Sequence, residues 1–277
     1  MSLDKPFFYI ILPTFNRPEL VVRAFNSILN QSYENYKLIL FNDGSSLDYG
    51  ELESKILGLE RVQYIKSLNL GVNKLRNLIL DKIFEENEKL ENSFFFTLSD
   101  DDYLVNDALL LMANEIKLTR GSWYCFNCES NSQDIFKNED FDRKEIISYI
   151  DFTKNYKGDK HFVFRLSEIK TIRFPSDYFK NGYEHIFYYQ LPFKINIIPK
   201  TVKIIQYYED GLSLSDLYKK SHTFSVLLKQ IKCAPKVWIF YKMLLKHIFF
   251  PKDIIKNLIS EQRYYKIKRK LGLKVKN

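Results

Sequence analysis

Short apolar runs alternate with segments of helical periodicity over the first 130 residues, and this alternation constrains the fold more than any other feature. The runs cover residues 7–12, 37–41, 62–65, 94–98 and 123–126, and helical patterns begin near Pro18, Asn73 and Asp107. Runs of this length are typical of strands that are buried on both faces. The alternation therefore predicts a parallel sheet with helices on both sides.

Polar residues follow each of the first four predicted strands. Thr14 and Asn16 follow the first, Asp43 the second, residues 69–77 the third and residues 99–102 the fourth. The carboxyl ends of parallel strands lie at the same edge of a sheet, and ligands bind there in open α/β sheets. The sequence therefore predicts a ligand site at this edge.

The segment Ser99-Asp100-Asp101-Asp102 is the most informative polar stretch. Three adjacent carboxylates repel one another, and a divalent cation that is also bound to substrate phosphate would relieve the repulsion. The alternative is an acidic N-terminus for the helix that follows, which the helix dipole would stabilise.

Asp43 and Arg76 also have two interpretations each. Asp43 could accept hydrogen bonds from a ribose or a base, or it could belong to an ordinary Asp-Gly-Ser turn. Arg76 could meet a phosphate or a carboxylate, or it could be a solvated residue near a helix start.

Five segments in order strengthen the functional interpretations. They are Pro13-Thr14-Phe15-Asn16-Arg17, Ser27-Ile28-Leu29-Asn30-Gln31-Ser32-Tyr33, Asn42-Asp43-Gly44-Ser45, residues 69–77 and residues 98–104. Their order and spacing resemble the signature motifs of the family 2 glycosyltransferases. The last segment resembles that family's metal-binding DxD motif, with Ser99 where the first Asp usually stands.

The resemblance implies an α/β fold of the GT-A (Rossmann-like) class, with a mixed, mostly parallel sheet flanked by helices. It implies a catalytic domain over residues 1–217, with a nucleotide-binding part at 1–120 and an acceptor part at 121–217. Residues 218–277 are expected to form a basic, amphipathic helical tail.

The resemblance also implies a role for each matched residue. The nucleotide would contact Pro13, Thr14, Asn16, Arg17, Asp43, Arg76 and Asp100. Mn²⁺ or Mg²⁺ would bind Asp101 and Asp102, with Asp210 as a further candidate ligand. The base that deprotonates the acceptor would be Glu184 or His185. His185 stands where the family usually has Asp, and Glu184, directly before it, is preferred because it keeps a carboxylate as the base.

Charge is distributed unevenly along the chain. Residues 218–277 carry a net charge of +14, whereas the whole chain carries +8. Basic residues interleaved with Trp, Phe, Ile and Leu are typical of helices that lie on anionic membranes. The alternative is a helix pair that packs on the body of the protein. No nucleic-acid-binding module is recognised.

Three cysteines are too few for a disulfide framework, and no apolar stretch approaches the ~18 residues of a membrane span. We therefore expect a cytoplasmic protein, peripheral at the inner face of the cell membrane.

The predicted function is that of an inverting, metal-dependent glycosyltransferase of the hexosyltransferase type. It would transfer a sugar from a UDP-sugar to a glycan or lipid-linked acceptor in surface polysaccharide or glycolipid synthesis. The alternatives are a non-catalytic, sugar-nucleotide-binding scaffold and a nucleotidyltransferase.

Overall fold

The computed structural model describes residues 5–87, 90–130, 139–208 and 223–249. The chain divides into two compact units, Met1–Leu214 and Ser215–Asn277. The first unit contains the sheet and the second contains the basic tail. The predicted functional division of residues 1–217 into nucleotide and acceptor parts stays a prediction.

The first four strands form the parallel half of the sheet. They are β1 (Phe7–Thr14), β2 (Tyr36–Asn42), β3 (Val62–Lys66) and β4 (Ser93–Thr97). Their order in the sheet is β3-β2-β1-β4, and all three pairings are parallel. The continuous apolar runs thus predicted these strands correctly, and the α/β fold class is confirmed.

The second half of the sheet is mixed. It contains β5 (Tyr103–Leu104), β6 (Trp123–Ser130), β7 (Glu145–Ile147), β8 (His161–Arg165) and β9 (Ile195–Ile205). Within the described residues the sheet continues from β4 through β8, β6 and β9 to β5, and β7 pairs with β9. Strand β8 runs antiparallel to both β4 and β6, which confirms the mixed, mostly parallel sheet that the family resemblance implied.

Six α-helices accompany the sheet in the described part of the first unit. They are α1 (Pro18–Leu29), α2 (Gly50–Ile56), α3 (Val72–Glu86), α4 (Ala108–Thr119), α5 (Tyr149–Asn155) and α6 (His185–Tyr189). Helix α1 begins at Pro18, where the missing N–H removes no intrahelical bond.

Two hydrophobic clusters form the core, one on each face of the sheet. Alternate strand residues point to opposite faces, so Ile10 belongs to the first cluster and Ile11 to the second. The first cluster includes buried residues of α1, α2 and α4, and the second includes residues of α3, α5 and α6. This arrangement confirms the prediction of helices on both faces.

Strand β1 extends two residues beyond the apolar run 7–12. Pro13 and Thr14 continue the parallel register opposite Phe41 and Asn42. Thr14 therefore lies at the carboxyl end of a central strand, with its backbone fixed by the sheet.

The second unit contains helices α7 (Phe224–Cys233) and α8 (Trp238–Phe249) in its described part. None of the helices described in this structure is long and apolar enough to span a bilayer. Residues 209–222 and 250–277, which include Asp210 and the basic run 266–270, lie outside the described residues.

The turn between β3 and α3 depends on Gly71. Its φ of +87° lies in the left-handed region, and a Cβ atom there would lie 2.7 Å from the Lys180 carbonyl oxygen. Gly58 is a matched comparison, because its φ is +78° but a Cβ atom would meet nothing within 4 Å. Backbone strain is therefore common to both positions, whereas a steric clash is specific to Gly71.

We predict that Gly71→Ala lowers the free energy of unfolding by about 2–4 kcal/mol and that Gly58→Ala lowers it by about 1 kcal/mol. Urea unfolding followed by tryptophan fluorescence measures both values. Equal losses in the two variants would contradict the proposed clash with Lys180.

Candidate functional site

The hydroxyl group of Tyr49 joins the ends of β1 and β2. It shares a hydrogen bond of 2.9 Å with Thr14 Oγ1 and accepts one of 3.0 Å from the backbone N–H of Arg17. Ser45 Oγ donates to the same hydroxyl at 3.2 Å. Tyr49 is buried and directly precedes α2. Its hydroxyl group therefore holds the residues that follow β1 and β2 in fixed positions.

Asn16 ties the end of β1 to the turn after β2. Its backbone N–H donates to Ser45 Oγ at 3.0 Å, and its Oδ1 accepts from the backbone N–H of Ser46 at 2.8 Å. Its φ of +53° is a conformation that Asn tolerates better than most residues. Asn16 therefore contributes to the shape of the edge through both its backbone and its side chain.

Asp43 holds the loop that leads from β3 into α3. Its Oδ1 accepts from the backbone N–H of Leu70 at 2.7 Å, and its Oδ2 accepts from that of Gly71 at 2.9 Å. A carboxylate has about four lone-pair sites, so these two bonds leave capacity for a ligand. The predicted contact with the nucleotide stays a prediction beside this structural role.

Asp100 and Asp101 share one guanidinium group. Arg17 Nη1 lies 2.8 Å from Asp101 Oδ2 and 3.5 Å from Asp100 Oδ1. Thr14 Oγ1 also donates to Asp100 Oδ2 at 2.9 Å. Burial, followed by repulsion from Asp101, raises the pKa of Asp100 to about 6, although Arg17 and Thr14 oppose the rise. The two carboxylates therefore need a cation to be stable together.

Asp102 has a different environment from its two neighbours. Its Oδ2 lies 2.7 Å from Lys203 Nζ on β9, and both side chains are buried. Burial lowers the pKa of Lys203, but the combined effects of Asp102, Cys128 and Asp159 outweigh burial, so the lysine pKa is raised. This pair does not fit the metal-ligand role predicted for Asp102, because a buried ammonium group already neutralises its carboxylate.

Arg23 binds the backbone of residues 99–102, which we call the acidic turn. Its Nη2 donates to the Asp101 carbonyl oxygen at 2.5 Å, and its Nη1 donates to Gln206 Oε1 just beyond β9. The guanidinium also lies 4.8 Å from the centre of the Tyr103 ring. Arg23 thus connects α1, the acidic turn and the end of β9.

Arg76 and Glu184 form an ion pair with each other. Arg76 Nη1 lies 3.0 Å from Glu184 Oε1, and the guanidinium stacks 4.9 Å from the centre of the Phe174 ring. The amide of Asn73 donates to the carbonyl oxygens of Phe179 and Gly182 on the segment before α6. The pair therefore fastens α3 to α6, and it argues against the base role preferred for Glu184.

His185 is the first residue of α6 and is partly exposed. Its ring centre lies 5.8 Å from that of Tyr183 and 6.3 Å from that of Tyr189. Tyr183 has a φ of +60°, a strained conformation for an aromatic residue, directly before Glu184 and His185. Strained backbone of this kind often occurs at functional sites.

The predicted residues thus fall into groups. Pro13, Thr14, Asn16, Arg17, Asp100 and Asp101 lie along connected ends of β1 and β4, whereas Arg76 pairs with Glu184. Within the described residues no three His, Cys, Asp or Glu side chains form a metal-holding cluster. Asp101 and Asp100 still fit a metal that takes one or two carboxylates and completes its shell with phosphate oxygens.

Sequence reasoning missed Tyr49, Arg23 and Lys203. Lys203 had a usable signal, since a lysine in the predominantly apolar strand β9 needs a buried acidic partner. Tyr49 and Arg23 had no comparable local signal, because their partners are far away in sequence.

Comparisons with known proteins agree with this architecture. A family model described as "Glycosyl transferase family 2" matches residues 9–178. An uncharacterized glycosyltransferase of Haemophilus influenzae is 26% identical over 185 residues, which are 63% of this chain and 68% of that protein.

A Campylobacter jejuni protein named GalNAc(5)-diNAcBac-PP-undecaprenol beta-1,3-glucosyltransferase is 30% identical over 184 residues, which are 62% of this chain. The match covers 56% of the Campylobacter protein, and a Rickettsia bellii relative is matched over 11% of its length. This chain therefore corresponds to only part of these relatives.

A crystal structure of Staphylococcus aureus TarS 1-349 in complex with UDP-GlcNAc has the same fold, with a TM-score of 0.64 at 15% identity. The superposition covers 92% of this chain and 76% of the TarS chain. The family model covers more than half of the present sequence, and the sheet has the expected order and mixed character. The chain belongs to glycosyltransferase family 2 and has the GT-A fold.

Proposed function

We propose that this protein transfers a sugar from a nucleotide donor to an acceptor hydroxyl group, with inversion at the anomeric carbon. The main support is the pair of carboxylates at Asp100 and Asp101, which lies beside Thr14 and Arg17 at the carboxyl ends of β1 and β4. Ligands bind at this edge in open α/β sheets. Family membership makes a nucleotide-sugar the appropriate ligand class.

A UDP-sugar is the donor that we propose, because the structurally similar TarS was crystallised with UDP and with UDP-GlcNAc. Thr14, Asn16 and Asp43 would contact the nucleoside. Asp101, together with Asp100, would hold Mn²⁺ or Mg²⁺. When bound, such an ion stabilises negative charge on a leaving diphosphate.

His185 is the base that we now favour over Glu184. Glu184 forms an ion pair with Arg76, whereas His185 stands at the position where the family usually has Asp. His185 would take the proton of the acceptor hydroxyl as the oxygen forms a bond to the anomeric carbon. The bond from that carbon to the diphosphate breaks in the same step. Glu184 would act as a positioning residue that keeps α6 against Arg76.

The nucleotide site can be tested by calorimetric titration of UDP in the presence and absence of Mn²⁺. We expect wild type to bind UDP more tightly with Mn²⁺ and Asp101→Asn to lose this metal-dependent gain, because the substitution removes the charged ligand. Asp142→Asn, at an exposed position on another part of the surface, is the control and should behave as wild type.

Metal-dependent binding that persists in Asp101→Asn would contradict the assignment of Asp101. If no UDP binding occurs with either metal condition, the uridine proposal is wrong and other nucleotides must be titrated. UDP binding without sugar transfer to any acceptor would favour the scaffold alternative.

The base can be tested by measuring UDP release from UDP-Glc, UDP-Gal, UDP-GlcNAc and UDP-GalNAc in the presence of candidate glycan acceptors. We expect His185→Ala to lower kcat by about 10²–10⁴-fold, the usual contribution of a general base, with little change in UDP affinity. His185→Asp should recover much of the activity, because it restores the residue usual in the family.

Glu184→Gln should chiefly lower the melting temperature, since it leaves the buried Arg76 without its anion.

The opposite pattern would overturn this choice of base. If Glu184→Gln abolishes UDP release without changing the melting temperature, and His185→Ala does not, then Glu184 is the base.

An anionic membrane surface is the partner that we propose for the second unit. On α8, Trp238, Leu245 and Ile248 are 69%, 44% and 48% exposed, and Lys242 and Lys246 are exposed on the same helix. Exposed aromatic and aliphatic side chains beside lysines suit the interface of an anionic bilayer. The name of the Campylobacter relative refers to an undecaprenol-linked sugar, which supports a lipid-linked glycan as acceptor.

We predict that Lys242→Glu/Lys246→Glu weakens binding to phosphatidylglycerol vesicles by tenfold or more, since each basic residue contributes about 1 kcal/mol near anionic lipid. Sedimentation with vesicles measures the change. Lys55→Glu/Lys82→Glu, on helices of the first unit, is the charge-matched control and should leave binding unchanged. Equal binding of wild type to anionic and to phosphatidylcholine vesicles would contradict the proposal.

A further inference from the structure

The backbone of Arg17 is held in place next to the acidic turn. It follows β1 and directly precedes α1, and its backbone N–H donates to the Tyr49 hydroxyl at 3.0 Å. From there its guanidinium reaches both Asp101, at 2.8 Å, and Asp100, at 3.5 Å. One arginine thus pairs with both of the carboxylates that fit a metal ion and compensates only part of their charge.

The third carboxylate of the turn, that of Asp102, has its own counter-ion and does not pair with Arg17. Asp102 is paired with Lys203 at 2.7 Å, and the side chains of that pair are only 6% and 10% exposed. The side chains of Arg17, Asp100 and Asp101 are more accessible, at 17%, 12% and 18%. The turn therefore has one buried ion pair and one that is closer to solvent.

The acidic turn has supports that are independent of the Arg17 side chain. Arg23 binds the Asp101 carbonyl oxygen, Thr14 donates to Asp100 Oδ2, and Lys203 holds Asp102. If the guanidinium of Arg17 moved away, these contacts would keep the turn in place. The two carboxylates would then repel each other unless another cation took its position.

We propose that Arg17 is a built-in counter-cation that a divalent metal must displace from Asp100 and Asp101. A divalent metal and the Arg17 guanidinium carry like charges and would share the same two carboxylates, so they repel each other and compete for these groups. The competition itself requires only the contacts described above. A second consequence rests on the proposed function: the released guanidinium would pair with the diphosphate of the donor.

This exchange would make the metal and the nucleotide bind cooperatively. A metal that binds alone must break the Arg17 ion pair, whereas a metal that binds with a diphosphate supplies Arg17 with a new anion. The coupling is reciprocal, so each ligand strengthens the binding of the other by the same factor. Substitution of Arg17 by a neutral residue should remove the competition and the cooperativity together.

The test is titration of the full chain with Mn²⁺ alone, with free Mn²⁺ measured by electron paramagnetic resonance. We expect Arg17→Gln to bind Mn²⁺ about tenfold more tightly than wild type, since a partly buried charged hydrogen bond no longer opposes binding. Arg17→Lys, which keeps the charge, should remain close to wild type. Arg61→Gln, which removes the Arg61–Glu34 ion pair elsewhere on the surface, is the control and should not change Mn²⁺ affinity.

Unchanged or weaker Mn²⁺ binding by a folded Arg17→Gln variant would overturn the proposal. If Arg17→Gln does not fold, Arg17→Met is the second neutral variant. Failure of both to fold would also overturn the proposal, because an ion pair that the fold cannot lose cannot be exchanged for a metal.

Titration with UDP separates this inference from the proposed function. Tighter Mn²⁺ binding by Arg17→Gln would support ion exchange even if UDP fails to bind to any variant, which would count against the nucleotide site alone. UDP binding by wild type with no change of Mn²⁺ affinity in Arg17→Gln would leave the nucleotide site standing and refute the exchange.

Discussion

Charge repulsion among three consecutive carboxylates after β4 is the constraint on which the site depends. The chain meets it in part with two cations from distant segments: Arg17 lies 84 positions from Asp101, and Lys203 lies 101 positions from Asp102. Because β1 neighbours β4 and β9 pairs with β5, the sheet topology brings these cations to the turn. Without them, charge repulsion and desolvation would both destabilise this edge.

The local pattern of the sequence predicted the parallel half of the sheet but not the mixed half. Strands such as β1 and β4 are continuous apolar runs, and their burial on both faces is a local property of the sequence. The insertion of β8 between β4 and β6 is not local, because it depends on which distant strand offers a complementary edge. Short elements such as β5 and β7 are fixed by pairing with β9, so their own sequences carry little signal.

In the candidate site, too, the sequence predicted which residues matter but not which residues they contact. The sequence identified Arg17, Asp43, Arg76 and Glu184 as residues of interest, and the structure gives each of them a specific polar contact. It could not identify the contacts themselves. Arg76 and Glu184 were assigned to different ligands, yet they bind each other, because folding brings residues 108 positions apart into an ion pair.

The Arg76 ion pair limits what the arginine can contribute to nucleotide binding. Arg76 is almost fully buried, its Nη1 is committed to Glu184, and its face lies against Phe174. A contact between Arg76 and a diphosphate would require the guanidinium to leave both partners, and it would leave Glu184 partly buried without its cation. Arg17 faces a smaller obstacle, since its carboxylate partners are the groups that a metal would neutralise in its place. On these grounds Arg17 is the better candidate for the diphosphate, and Arg76 is the better candidate for fixing α6 and the proposed base against α3.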